Sequence, residues 1–250
     1  MQNYKLVVSY DGTDFAGWQR QPEARTVQAT LEDAVLKITG KKVVVHGAGR
    51  TDAGVHALGQ AANVRVATRL DDPTLLRALN AVLPWDLRIV SLDKATPDFH
   101  ARRSAVSKTY RYRIVLARTM SPFDFRYALH WPYPLDIRAM RSAARGFVRR
   151  ADFTAFSSNR DLSPVRTVVR SELRRSGDEL AYTIEGDGFL RYMVRTIVGT
   201  LIEVGRGRTA PEGIEEIFKR RDRMLAGPTA PAKGLCLIRV DYSSRTRPIK

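Results

Sequence analysis

One carboxylate and one guanidinium stand two residues apart within a run of glycines: Gly47-Ala48-Gly49-Arg50-Thr51-Asp52-Ala53-Gly54-Val55-His56-Ala57-Leu58-Gly59-Gln60. Glycines at 47, 49, 54 and 59 let the backbone take positive φ and let a substrate approach the main chain closely, at an entropic cost that an ordinary connection avoids. Arg50, or another cation in the site, would orient Asp52 and keep it ionised at neutral pH. A held, ionised aspartate is a usable nucleophile. The spacing fits neither common glycine loop. A P-loop needs Lys where Val55 stands, and a dinucleotide fingerprint needs Gly where Asp52 stands, so phosphate cradling is not expected. The plain alternative is a structural turn in which Asp52 hydrogen-bonds its own backbone.

The elements that must position this loop are legible on both sides. Lys42–His46 and Ala61–Val66 read as strands around it. Before them come a strand at Tyr4–Tyr10, with Tyr4, Leu6, Val8 and Tyr10 on one face, and the turn Asp11-Gly12. The loop Thr13–Pro22 mixes aromatic, amide and basic side chains; Phe15 and Trp18 either stack on bases or pack inward. A helix spans about Val27–Ile38 with Thr26 as its N-cap. A second begins at Asp72-Pro73, cap then Pro, and runs to Pro84, and a strand at Leu87–Leu92 follows. This order is β-α-β-β-α-β.

The rest of the chain repeats the order with unrelated residues. A strand at Lys108–Leu116, a helix from about Asp136 to Arg149 and strands at Val165–Arg174 and Glu179–Glu185 come first. A helix over Phe189–Val204, a shorter one opened by the capping box Thr209–Glu212 and a last strand at Gly234–Tyr242 complete it. The expected fold class is therefore α+β: two ferredoxin-like halves, residues 1–101 and 102–250, contributing to one antiparallel sheet with helices on one side and a catalytic cleft between the halves. The basic tail from Ser243 to Lys250 is expected to fray.

Charge narrows the partner. With 42 Lys and Arg against 26 Asp and Glu, the 250-residue chain carries a formal net charge of +16. That excess points to a polyanion, nucleic acid first. A ferredoxin-like sheet is also the architecture of RNA-recognition motifs, but their basic and aromatic signature is absent, so RNA contacts would fall to groups such as Arg102, Arg103, Arg149, Arg150, Arg174, Arg175, Arg220 and Arg221. No signal peptide, spanning run or lipidation motif is evident, so a cytoplasmic, membrane-free protein is expected. The single cysteine, Cys236, excludes an intrachain disulfide and a cysteine cluster for zinc, and its strand alternation with Ile238, Val240 and Tyr242 reads as a core face. Leu235 and Leu237 lie opposite, as a wall of a cleft or a second core. Two further stretches carry chemistry: Ser107–Ile114, with Tyr110 and Tyr112 on one strand face, and Gly188–Gly199, where Arg195 interrupts an apolar helix and, if buried, wants a carboxylate.

The glycine loop closely resembles the signature of the TruA family of tRNA pseudouridine synthases. The likeness extends to Tyr10–Gln21, Phe99–Arg102, Lys108–Tyr112, Phe189–Arg195 and Gly234-Leu235, in the family's order. Arg103 stands where an aromatic is expected, and Ser157-Ser158-Asn159 does not align. The resemblance implies that Asp52 is the catalytic aspartate, that Tyr110 stacks on the target uracil and helps move the C5 proton, and that Arg195 pairs with the aspartate. It implies Arg50 as a supporting, RNA-contacting cation and Leu235 as an apolar contact in the pocket. It further implies a homodimer acting on tRNA, at uridines 38–40 of the anticodon arm, without cofactor or metal. Whether Asp52 would attack C1′, attack C6 or remove a ribose proton stays open. A metal-dependent nuclease using Asp11, Asp14 and Asp52, and a non-catalytic RNA-binding protein, are the rival readings.

Overall fold

A computed structural model describes residues 1–158 and 163–242; the tail from Ser243 and the unaligned Asn159 lie outside the described residues. The fold is mixed α/β, with mostly antiparallel strands and five α-helices among the described residues. The chain divides into two units. One runs over Met1–Val106 and takes back the chain from Leu237 onward, and the other is Ser107–Cys236.

In the first unit, the alternation of Tyr4, Leu6, Val8 and Tyr10 makes β1 (Gln2–Tyr10), and all four side chains are buried. Helix α1 (Val27–Thr39) starts where Thr26 Oγ1 accepts the Ala29 amide at 3.3 Å and stops at Gly40, which takes φ +67. Val27, Leu31 and Val35 on its inner face are each worth about 1.5–3 kcal/mol when fully buried. Helix α2 (Asp72–Val82) is capped by Asp71, whose Oδ1 accepts the Thr74 amide at 2.8 Å, so the cap lies one residue earlier than the sequence suggested.

The strands differ more. The one expected over 42–46 shrinks to β2 (His46–Gly47), because the Val45 amide donates to Glu32 Oε1 on α1 at 2.9 Å instead of entering a ladder. Strand β3 (His56–Val66) is longer than expected and absorbs the second half of the glycine run. With β4 (Leu87–Ala95) and the part of β10 (Leu235–Asp241) from Leu237 on, the strand order in this unit is β4-β1-β3-β10, β2 pairing with β3. Val240 and Tyr242 pack on a cluster of Ala48, Ala61 and Ala101 beside Phe99. The Tyr242 hydroxyl donates to the Ala101 carbonyl at 2.8 Å.

The second unit holds β5 (Ser107–Val115), the two-residue β6 (Leu129–His130), β7 (Arg150–Asp152), β8 (Val165–Ser176) and β9 (Glu179–Gly186), in the order β5-β9-β8-β7, with β6 pairing parallel to β5. Helix α3 (Ile137–Arg145) ends four residues before the expected Arg149, since 150–152 pair with β8. Helix α4 (Met193–Gly205) starts at Met193 and not at Phe189, because Tyr192 takes φ +63, a left-handed turn that no helix continues through. The expected capping box also fails. The Gly213 amide turns back to the Ala210 carbonyl at 2.9 Å, and α5 (Gly213–Arg220) begins only there, with no side-chain cap.

Candidate active site

Asp52 is half-buried in the loop between β2 and β3, and its backbone is fixed from beneath by the loop that follows β1. The Trp18 amide donates to the Thr51 carbonyl at 3.0 Å and the Gly54 amide to the Phe15 carbonyl at 3.3 Å. The Val55 amide closes a turn onto the Asp52 carbonyl at 3.1 Å. Tyr10 and Thr51 share a buried hydroxyl bond of 2.8 Å. His56 Nδ1 stands 3.0 Å from the Gly12 amide, from which it accepts when the ring proton is on Nε2, and 3.1 Å from Asp11 Oδ1, to which it donates when it carries the proton itself.

Two glycines make this stitching possible. Gly17 takes φ +93, and a Cβ there would lie 2.7 Å from the Thr51 carbonyl oxygen; one at Gly12 would lie 2.0 Å from that of Val55. The sequence left Phe15 and Trp18 between base stacking and inward packing, and they pack inward, at 3 % and 2 % exposure. The indole of Trp18 lies against Gly47, and the Arg25 guanidinium sits 4.0 Å above the Phe15 ring. Arg50 is exposed and donates Nε to Gln19 Oε1 at 3.1 Å.

The other expected site residues belong to the second unit. Tyr110, on β5 opposite Ile184, is buried and meets the Phe189 ring edge-to-face at 5.2 Å. Arg195, in the first turn of α4, is only half-buried; it donates Nε to the Ala230 carbonyl at 2.7 Å and lies 4.9 Å over the Tyr192 ring. Tyr112 donates its hydroxyl to the neighbouring Pro231 carbonyl at 2.9 Å, and burial pushes its pKa well above the tyrosine range. Its ring packs against Gly234, where no side chain would fit, so Tyr112 and Arg195 together fix the segment that leads into Leu235.

Leu235 and Leu237 are buried, whereas Cys236, expected on the core face, is only half-buried. On that face Val240 and Tyr242 are also only partly buried; they pack on Ala48, Ala61 and Ala101, with Tyr242 against the Phe99 ring at 5.0 Å. Among the described residues, no three of His, Cys, Asp and Glu gather in a way that would hold a metal ion, and no helix is long and apolar enough to cross a membrane.

A family model described as tRNA pseudouridine synthase matches residues 6–102 and 143–243. The chain belongs to the tRNA pseudouridine synthase family. It is thus an isomerase. The matched stretches contain Arg50, Asp52, Arg195 and Leu235, while Tyr110 falls between them. Among relatives of this synthase family, the tRNA pseudouridine synthase A of Limosilactobacillus fermentum is 44% identical over 254 residues, covering 98% of this chain and 97% of the relative. That of Solibacter usitatus is 44% identical over 247 residues, covering 97% and 100%, and that of Thermodesulfovibrio yellowstonii is 40% identical over 254 residues, covering 97% and 100%.

Sequence reasoning missed the side chains behind the synthase loop, Gln19, Gln28 and Glu32. A signal was present. Gln28 and Glu32 are spaced by four on the face of α1 that also carries Val27, Leu31 and Val35, so two polar groups enter the core one turn apart.

Proposed function

We propose that this chain converts uridine to pseudouridine in the anticodon arm of tRNA, at positions 38–40, with Asp52 as its catalytic carboxylate. The observation that carries the reading is the family match across the Asp52 loop, and the backbone stitching of Gly12–Trp18 to Thr51–Val55 supports it. A catalytic carboxylate needs fixed surroundings, and that loop has them.

The reaction breaks the N1–C1′ bond, turns the base and joins C5 to C1′; the C5 proton leaves and N1 regains one. Nothing is oxidised and no water is added, so a single ionised carboxylate suffices, whether it attacks the sugar, attacks C6 or takes a ribose proton. The target base must leave its stack, at a cost of about a few kcal/mol in a helix and less at the edge of a loop. Tyr110, held edge-on by Phe189, would stack on the flipped ring, with Leu235 as its apolar contact. Arg195 and Arg50 would bind substrate as cations, and the remaining positive charge would bind the tRNA backbone. We further infer a cytoplasmic homodimer in which one tRNA touches both subunits.

The test uses unmodified tRNA carrying tritium at uracil C5. Release by the wild-type protein and its loss in Asp52→Asn, with tRNA binding retained, is the expected outcome. Tight binding by both without release would leave an RNA-binding protein and sink the enzyme reading.

A further inference from the structure

Behind Arg50 runs a chain of hydrogen bonds whose direction is fixed at every link. Its inner end is Glu32, buried on α1, whose Oε1 accepts from the Val45 amide at 2.9 Å and from Gln28 Nε2 at 3.0 Å, and whose Oε2 accepts from Arg20 Nε at 2.8 Å. A carboxylate only accepts, so Gln28 must turn its amino group toward Glu32. Its Oε1 then faces outward, accepting the Arg20 amide at 3.0 Å and Gln19 Nε2 at 2.7 Å. That in turn fixes Gln19, which presents Oε1 to Arg50 Nε at 3.1 Å. No amide in the chain can flip without setting two acceptors against each other.

We propose that Gln19, Gln28 and Glu32 are positioning residues for Arg50. They hold the guanidinium by its Nε edge and so turn its two Nη groups outward, where they take a phosphate of the tRNA backbone in a two-point grip. An exposed arginine otherwise spends much of its contact energy on ordering its own side chain; here part of that cost is met on folding. The inference rests on the reading of this chain as a tRNA-binding isomerase. It adds that helix α1, remote in sequence from the glycine loop, sets the orientation of one of that loop's cations.

The experiment is a double-mutant cycle on the full-length protein with unmodified tRNA, comparing wild type, Gln19→Leu, Arg50→Ala and the pair. Affinity is measured over a series of salt concentrations and single-turnover tritium release alongside it. Gln19→Leu is expected to weaken binding about tenfold. Although it removes no charge, it should also reduce the slope of log affinity against log salt by about one, because a misdirected Arg50 no longer displaces a counterion. In the Arg50→Ala background the same substitution should cost less than about twofold. An equal loss in both backgrounds, or an unchanged salt slope, would overturn the proposal and leave Gln19 a structural residue of its loop. Gln28→Leu repeats the test one link further in; should it fail to fold, the Gln19 cycle decides alone. Binding without tritium release in the wild type would instead sink the isomerase reading, with the affinity cycle still deciding this one.

Discussion

The Thr51 carbonyl accepts the Trp18 amide at 3.0 Å, tying the residue before the aspartate to the loop that follows β1. Gly17, one residue earlier, sits so close to the same carbonyl that a methyl group would approach it to 2.7 Å, and its φ of +93 is itself unfavourable for any other residue. Gly17→Ala is therefore expected to cost about 1–3 kcal/mol of stability, seen as a lower Tm. It should also slow tritium release more than it weakens tRNA binding, since the displaced backbone is that of Asp52. A variant with wild-type Tm and rate would show that the loop yields freely there.

Arg25 offers a second test of the same region. Its Nη1 and Nη2 donate to the two carboxylate oxygens of buried Asp86 at 2.8 and 2.7 Å, and the Asp86 carbonyl accepts the Asp11 amide at 3.0 Å. Arg25→Met keeps an aliphatic stem against Phe15 but strands the Asp86 carboxylate. The guanidinium is partly exposed, which discounts the pair, so a loss of about 2 kcal/mol is expected in urea titration. Adding Asp86→Asn should recover part of it, and no recovery would mean that packing on Phe15, and not the buried charge, sets the cost.

Stability should also fall on mild acidification. His100 Nδ1 accepts the Arg102 amide at 3.1 Å, and its ring lies 5.1 Å from that of His46. Burial, then the charges of Arg103 and His46, hold its pKa below the ordinary value of 6.5. The unfolded chain therefore takes up a proton at this site before the folded one does, and stability is lost as pH falls from 6.5 toward the lower folded value, with no further loss beneath it. The urea midpoint is expected to drop as the pH falls below about 6.5, and to drop less in His100→Asn. Glu215 and Glu172, held below the usual 4.5 first by their hydrogen bonds to Arg149 and Arg170, lose their contributions only at lower pH, so the two windows separate.

The arginines divide by occupation. Arg149 pairs with Glu215 and lies 4.7 Å over the Phe218 ring, and Arg220 pairs with Glu216. Arg102 and Arg103 are exposed on the turn after Phe99. Replacing Arg102 and Arg103 with Ala is expected to weaken tRNA binding and to reduce its salt slope by about one for each phosphate that is no longer neutralised, whereas Arg149→Ala should lower Tm with little change in slope. The reverse pattern would move the RNA surface to α5.

What could be read in the sequence and what could not follows from how local each signal is. The Thr26 cap, the Asp72-Pro73 start of α2 and the alternation in β1 are set by neighbours in the chain, and all lie within a residue or two of where they were expected. The strand over 42–46 read as strand from its three valines, and failed because a carboxylate thirteen residues away in sequence takes the Val45 amide. Phe15 and Trp18 were ambiguous for a similar reason. An aromatic loop that stacks on a base and one that fills a core share a composition, and the difference lies in Gly47 and Arg25, which meet them only in three dimensions. The glycine loop was legible as a candidate site through its family likeness, its composition alone leaving a plain structural turn open. The hydrogen-bond chain behind Arg50 was legible only at its inner end, in the spacing of Gln28 and Glu32 on α1; Gln19 and Arg50 join it only in three dimensions.

The unit that carries Asp52 is discontinuous: β10 returns to it, with Gly59 tight against the Ile238 carbonyl and the Val106 amide donating to the Asp241 carbonyl at 2.8 Å. Synthesis runs from the other end. A nascent chain halted before Leu237 has already made the aspartate and every residue of its loop, yet lacks the strand that finishes their unit. Protease should cut the glycine loop of such a halted chain and spare it in the complete one. The Asp52 loop thus gains the last strand of its unit only after the whole of the other unit, Ser107–Cys236, has been made.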